Sequence, residues 1–366
     1  MALLGKHGTN KKLSFYLAAL LILLAAFSAY FQFYPPARVI GSVKSLVNIS
    51  EISTPLPEGA IPEINNPKFI TAGSATYPED KDLVAGMAYN GVTKAYPVKM
   101  LNLHEVVNDN FSGKPVSMTY CVLCRTPIAY EGRISGKKAT FRVTGLLYNA
   151  NDLLVDIETR SYWQQITGEA VVGDAIGKNL TKIPTEMTTW ALWKAKYPDT
   201  LVMSSDTGFD RDYGTDPYGG YEESDKTWYF PKKEDGRLFV KDIIYGVAFN
   251  EGSKAYPKSN VTSDGVINDQ IGKNKLLIMH DSDLDTVKVF DRVLRGTELN
   301  FETVDGKIVD MKTKSSWNYE GVAVDGPLKT EKLKRIDATH SFWYVWAGFY
   351  PQTSVYKEME TKNTVV

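Results

Sequence analysis

The chain has 366 residues, a net charge of −1, 12% aromatic side chains and two cysteines. That length builds one large core or two domains, and such aromatic content excludes a mainly disordered chain. The balanced charge, with no basic block, excludes nucleic acid as a partner, and two cysteines exclude a disulfide scaffold.

Residues 1–12 carry Lys6, Lys11 and Lys12 ahead of an apolar run over 13–34, in which Gln32 is the most polar group. Such a run crosses a hydrocarbon core of about 30 Å as a helix, and the preceding cations hold the N-terminus in the cytoplasm. We therefore expect an anchor in the lipid bilayer through residues 13–34. The bulk of the chain would then be extracytoplasmic, in a periplasm or outside the cell. Ala26-Phe-Ser28 would serve as a signal-cleavage site, but the run exceeds the roughly 7–15 apolar residues of a cleaved signal. Pro35-Pro36 stops the helix. Residues 35–80, rich in Pro, Asn, Ser and Glu, read as a mostly extended stalk or wrap leading into the globular part.

The rest contains an internal duplication. The segment from Gly86 to Tyr96-Pro97 returns from Gly246 to Tyr256-Pro257, and Asn108-Asp109 returns as Asn268-Asp269 at the same offset. Trp163 returns as Trp317, and the Trp190/Trp193 pair before Tyr197-Pro198 returns as Trp343/Trp346 before Tyr350-Pro351. Matches kept in order define two related units, 81–204 and 241–358, joined by a connector over 205–240 and followed by a tail over 359–366.

Within the first unit, Asn90-Gly91 and Ser135-Gly136 mark hairpins, and residues 116–120 read as a strand running into Cys121. Residues 101–107 predict a short helix ending at Asn108-Asp109. Residues 187–196 predict a second helix, with Trp190 and Trp193 on one face. The expected fold class is α+β and β-rich: two duplicated β-rich units with short helices, preceded by one N-terminal transmembrane helix.

Cys121 and Cys124 stand two residues apart, so both sulfurs can face one point. That spacing suits a metal ion, a redox dithiol or a short disulfide. At the same offset the second unit has Asp281 for Cys121, Leu284 for Cys124 and Asp264 for His104. Joint loss suggests joint purpose, so the leading expectation is a copper or zinc site made by Cys121, Cys124 and His104. Glu105, Asp109, Met118 or water could complete it. A redox dithiol comes next, then a structural disulfide in an accessory subunit of a membrane complex. Whether the chain is an enzyme stays open. Heme c attachment is disfavoured, because Arg125 stands where that motif needs His. Asp210, Asp212 and Asp216 in the connector resemble a calcium loop weakly; their spacing fits no standard one, and a hydrogen-bonded turn is the simpler reading. No phosphate loop or Gly-x-Ser-x-Gly elbow is present.

These stretches resemble a known family, domain of unknown function 3179. The resemblance rests on residues 61–69, on His104-Glu-Val-Val-Asn-Asp109, Thr119-Tyr-Cys-Val-Leu-Cys124, Gly145-Leu-Leu-Tyr-Asn149, Trp163-Gln-Gln-Ile-Thr-Gly-Glu169 and Arg211-Asp-Tyr-Gly-Thr-Asp-Pro-Tyr218. It implies that His104, Glu105, Cys121, Cys124, Trp163, Thr167 and Glu169 belong to one motif set. It implies no activity. Leu103, Val122 and Arg125 depart from the family's usual Trp, Pro and Gly. Arg125, Trp163, Thr167, Glu169 and Asp109 are therefore expected around the site as supporting residues, with Arg125 able to lower a thiol pKa.

Overall fold

The computed structural model describes residues 44–231 and 233–357. The expected anchor over 13–34 and the tail over 359–366 lie outside the described residues. Among the described residues no helix is long and apolar enough to cross a membrane.

The fold is β-rich, with seven-residue helices set between strands. The first unit runs β1 (Leu83–Tyr89), β2 (Val92–Pro97), α1 (Val98–His104), β3 (Val106–Phe111), β4 (Lys114–Cys121) and β5 (Thr126–Glu131). It continues with β6 (Phe141–Tyr148), β7 (Asn151–Asp156), β8 (Tyr162–Gln164), β9 (Ala170–Val172), β10 (Glu186–Thr189) and α2 (Trp190–Lys196). The second unit repeats this order: β11 (Ile243–Phe249), β12 (Gly252–Pro257), α3 (Lys258–Asp264), β13 (Val266–Ile271), β14 (Asn274–Asp281) and β15 (Thr286–Asp291). Then follow β16 (Phe301–Val304), β17 (Lys307–Asp310), β18 (Ser316–Trp317), β19 (Ala323–Asp325), β20 (Thr339–Phe342) and α4 (Trp343–Phe349).

Sheet order repeats too. β10-β1-β2, β3-β4-β5 and β6-β7-β8-β9 in the first unit match β20-β11-β12, β13-β14-β15 and β16-β17-β18-β19 in the second. Two glycines show why the tryptophans recur. A Cβ on Gly86 would meet the Trp193 ring at 2.3 Å, and one on Gly246 would meet Trp346 at 2.3 Å. Each helix therefore lays an indole flat on its own first strand, where only glycine fits.

Two expected helices shift. The first spans Val98–His104 rather than 101–107, and Asn108 and Asp109 lie within β3. The Asp109 carboxylate is held by Lys94 at 2.7 Å and by the Tyr96 hydroxyl at 2.6 Å, which fixes it against β2. The second helix starts at Trp190, because residues 186–189 pair with β1 first; the Thr189 hydroxyl then accepts from Leu192 N–H as the N-cap.

The described part of the stalk does not hang free. Leu46 N–H bonds Val171 O, Ser53 pairs with Leu147, and Ile64 pairs in parallel with Val107. It is a belt across the first unit.

The two units bury their faces reciprocally. Leu284, in the β14–β15 turn, packs with Trp190 and Trp193 of the first unit. Leu123 and Cys124, in the β4–β5 turn, pack with Trp343 and Trp346 of the second. Lys182 donates to the Thr339 hydroxyl at 3.2 Å, and Arg335 pairs with Glu186 at 3.1 Å. The helix of each unit thus covers the turn of the other, as in an isologous dimer.

Candidate functional site

β4 ends on Cys121 and β5 begins at Thr126, so the residues between make a tight turn with Arg125 at φ 53°. Cys121 and Cys124 are joined as a disulfide, with Cα atoms 5.4 Å apart and both residues fully buried. The turn is clamped by its carbonyls. Leu123 O accepts from the hydroxyls of Tyr344 at 2.8 Å and Tyr221 at 3.2 Å. Cys124 O accepts from Phe342 N–H at 2.9 Å. Arg125 O accepts from His340 Nδ1 at 2.8 Å; burial, then the Arg125 charge, pulls that imidazole down to about 3, so it is neutral. On the other side Asn151 Nδ2 lies 3.2 Å from Cys124 Sγ and donates to Gln165 Oε1 at 2.8 Å.

The second unit closes the same turn without sulfur. Asp281, in the place of Cys121, accepts from Asp283 N–H at 2.9 Å and Leu284 N–H at 3.3 Å. Its other oxygen faces Lys288 at 2.7 Å and Lys196 at 2.9 Å. Disulfide and buried carboxylate are two solutions to one local problem.

The expected metal set is not assembled. Both ring nitrogens of His104 are taken, Nδ1 by Pro62 O and Nε2 by the Tyr213 hydroxyl, each at 2.7 Å. Burial lowers its pKa, so it stays a neutral clamp between belt and connector. Among the described residues no group of three or more His, Cys, Asp or Glu stands ready to hold a metal ion. The two sulfurs are bonded to each other, and His104 is bonded elsewhere.

The remaining expected residues scatter. Asp109 belongs to the Lys94–Tyr96 clamp, repeated as Asp269 with Lys254 and Tyr256. The Trp163 indole donates to Asp156 at 2.8 Å, repeated by Trp317 and Asp310 at 3.1 Å, so both are frame. Thr167 accepts from Glu169 N–H, and Glu169 bridges to Asn179 in the next loop. Arg125 pairs with Glu222 at 3.2 Å. Asp212 caps its own turn through Gly214 N–H and the Thr215 hydroxyl, Asp216 accepts from Asn102 and Tyr218 N–H, and Asp210 is exposed. Hydrogen-bonded turns describe that stretch.

Glu105 is the exception. α1 ends there in the left-handed region, with φ 55° and its N–H on Leu101 O. The second unit gives this position to Gly265, at φ 71°. Glycine is the low-strain choice for such a cap. A glutamate held there spends backbone strain, and Glu105 lines a cavity of about 330 Å³.

A second carboxyl meets it. The β6–β7 hairpin is six residues longer than β16–β17, which turns at Asp305-Gly306. The extension holds a bulge at Thr144-Gly145 and the pair Leu147–Asp152. Gly145, at φ 73°, has room for the belt: a Cβ there would meet Leu56 O at 2.3 Å. Glu105, Asp152, Val122, Leu123, Tyr218 and Trp228 then line the cavity, with Leu56, Ile61 and Leu147 closing it. Tyr218 and Trp228 come from the connector, their ring centroids 5.8 Å apart.

Glu105 and Asp152 are 7% and 8% exposed, and Asp152 Oδ2 has no hydrogen-bond partner. Burial pushes Asp152 up to about 7. Burial, then the charge of Asp152, pushes Glu105 well above the usual carboxylate range. Two like carboxyls in an apolar wall resist joint ionisation, so at neutral pH the pair retains a proton. Sequence reasoning placed Glu105 only as a helper and missed Asp152, Tyr218 and Trp228. The signal was present in the duplication: Glu105 against Gly265, and a hairpin that has no equivalent length in the second unit.

Fold and site together define a duplicated β-rich protein in which the first unit and the connector form an acid-lined, aromatic-walled cavity. The chain belongs to the family described as Protein of unknown function (DUF3179), whose model matches residues 58–353, and thus nearly all of both units and every cavity residue named here except Leu56. No curated protein and no solved structure gave a match.

Proposed function

We propose that this protein is a membrane-tethered, extracytoplasmic binding protein that captures a small organic molecule in the Glu105–Asp152 cavity, with the Cys121–Cys124 disulfide stapling one wall. The observation that carries the reading is the pair of buried carboxyls converging, without a protein partner for Asp152 Oδ2, on an otherwise apolar cavity. Burying such groups costs stability, which a fold does not need and a ligand can use. The apolar segment over 13–34 supports the tether, and a disulfide suits an oxidising compartment outside the cytoplasm. Thiol exchange is the weaker reading, because both sulfurs are buried and the turn is clamped through three carbonyls.

The test is a ligand-observed NMR screen of small organic compounds against the full chain in detergent. We expect binders that are weakened in both Asp152→Asn and Trp228→Ala. Binders indifferent to both substitutions, or no binder at all, would overturn the proposal.

A further inference from the structure

The buried acids of this protein differ in how they are compensated. Asp109 faces Lys94, Asp281 faces Lys288 and Lys196, Asp82 faces Lys99, and Asp156 and Asp310 accept indole N–H groups. Glu105 and Asp152 have no cation and no side-chain donor among the described residues. Among the described residues their cavity has no Lys, Arg or His in its lining. Its remaining walls are aliphatic or aromatic, and Tyr218 and Trp228 offer ring faces beside the acids.

We infer that the cavity selects an organic cation, an alkylammonium group with apolar substituents, whose charge meets Glu105 and Asp152 and whose carbon surface lies on Tyr218 and Trp228. This rests on the ligand-site reading above and adds the chemical class. An anion would meet like charge in a low-dielectric wall. A polyol needs several donors and acceptors, and an aliphatic wall would leave its hydroxyls unpaired. An alkylammonium ion leaves nothing unpaired: its methyl groups suit the aliphatic wall, and its charge is drawn to carboxylates and to aromatic faces.

A consequence separates this class from neutral ligands. The carboxyl pair retains a proton when the cavity holds no cation, and a fixed positive charge favours full ionisation. Entry of the cation therefore releases a proton to solvent. The titratable groups facing the pair are Tyr218 and Tyr229 of the connector and Tyr344 of α4. Burial pushes the Tyr218 and Tyr344 hydroxyls upward, so they stay neutral through the range and do not mask the release.

The experiment compares choline with 3,3-dimethylbutan-1-ol, its uncharged counterpart of the same shape, by titration calorimetry on the full chain in detergent from pH 5 to pH 8. Choline should bind at least about tenfold more tightly than the alcohol. Its affinity should climb toward about tenfold per pH unit below neutrality and level off above, with proton uptake by the buffer seen in buffers of different ionisation heat. Asp152→Asn should weaken choline, Glu105→Gln with Asp152→Asn should abolish the slope, and Trp228→Ala, at a half-exposed position, should weaken choline without altering the slope. Equal binding of both probes, lost in Trp228→Ala, would overturn the cation class while leaving the cavity as a ligand site. Choline binding without pH dependence, choline binding unchanged in Asp152→Asn, or no choline binding would overturn the inference outright.

Discussion

At the scale of single residues, Glu105 and Asp152 stand out for what they cost the fold. Glu105 occupies a left-handed cap that the second unit gives to glycine. Asp152 is buried with an unpartnered oxygen and is pushed up to about 7. The sign of the stability change follows. A carboxyl with a raised folded pKa binds its proton more tightly in the folded state, so its stability contribution is fully present below the unfolded value near 4. That contribution is lost as pH rises through about 7. Asp152→Asn removes the penalty. The variant should therefore melt several degrees above the parent at pH 8, with the gain vanishing at pH 4, as followed by thermal unfolding at both values. A variant less stable than the parent at pH 8 would make Asp152 a structural residue. Asp109 gives the contrast: a carboxylate of the same kind, satisfied by Lys94 and Tyr96, with no such tension.

At the scale of elements, the β4–β5 turn decides between a staple and a redox centre. Closing so short a loop restrains the unfolded chain by only about 2 kcal/mol. The replacement of this bridge by Asp281 in the other unit shows that the fold asks for closure rather than for sulfur. Cys121→Ala with Cys124→Ala should therefore cost on the order of 2 kcal/mol in urea unfolding while preserving the fold. Alkylation of the native protein in the presence of a phosphine reductant should proceed only at the rate of global unfolding. Rapid labelling of two thiols under native conditions would restore the dithiol reading. This element also shows what a sequence reveals and what it hides. Period-two patterns and Asn90-Gly91 announced the strands, and the order of matches announced the repeat. The motif set at His104 and Cys121 was visible, but its chemistry was not, because pairing partners such as Pro62 and Tyr213 lie 42 and 109 residues from His104. The cavity depends on a connector, a belt and a hairpin extension converging in space, and no local pattern encodes that convergence. The helix limits shifted for a related reason: pairing of residues 186–189 with β1 overrides a local preference for helix.

At the scale of the whole molecule, each unit is incomplete without the other. The core around Cys121 and Cys124 includes Ile244, Phe342, Trp343 and Trp346, so the first unit's site is walled from behind by the second unit. That explains how a unit lacking the acids and the sulfurs still serves the site: it supplies three of the four contacts that hold the turn carbonyls, and so helps set the position of Val122 and Leu123 in the cavity wall. Reciprocal burial also couples their unfolding. Chains of this length commonly unfold unit by unit, but here neither half can expose its helix without exposing the other's turn. Calorimetry of the protein should show one transition, with the van't Hoff enthalpy close to the calorimetric enthalpy. Tyr344→Phe in the second unit tests the coupling directly. It removes the hydroxyl that donates to Leu123 O at 2.8 Å, a buried hydrogen bond worth about 1 kcal/mol. The Tyr221 hydroxyl remains on that carbonyl at 3.2 Å, so the fold should survive. The single transition should move down by a few degrees as a whole, and amide exchange should quicken around residues 122–125 of the first unit. Two resolved transitions, or a destabilisation confined to the second unit, would mean that the halves are merely tethered and that the cavity wall is set by the first unit alone.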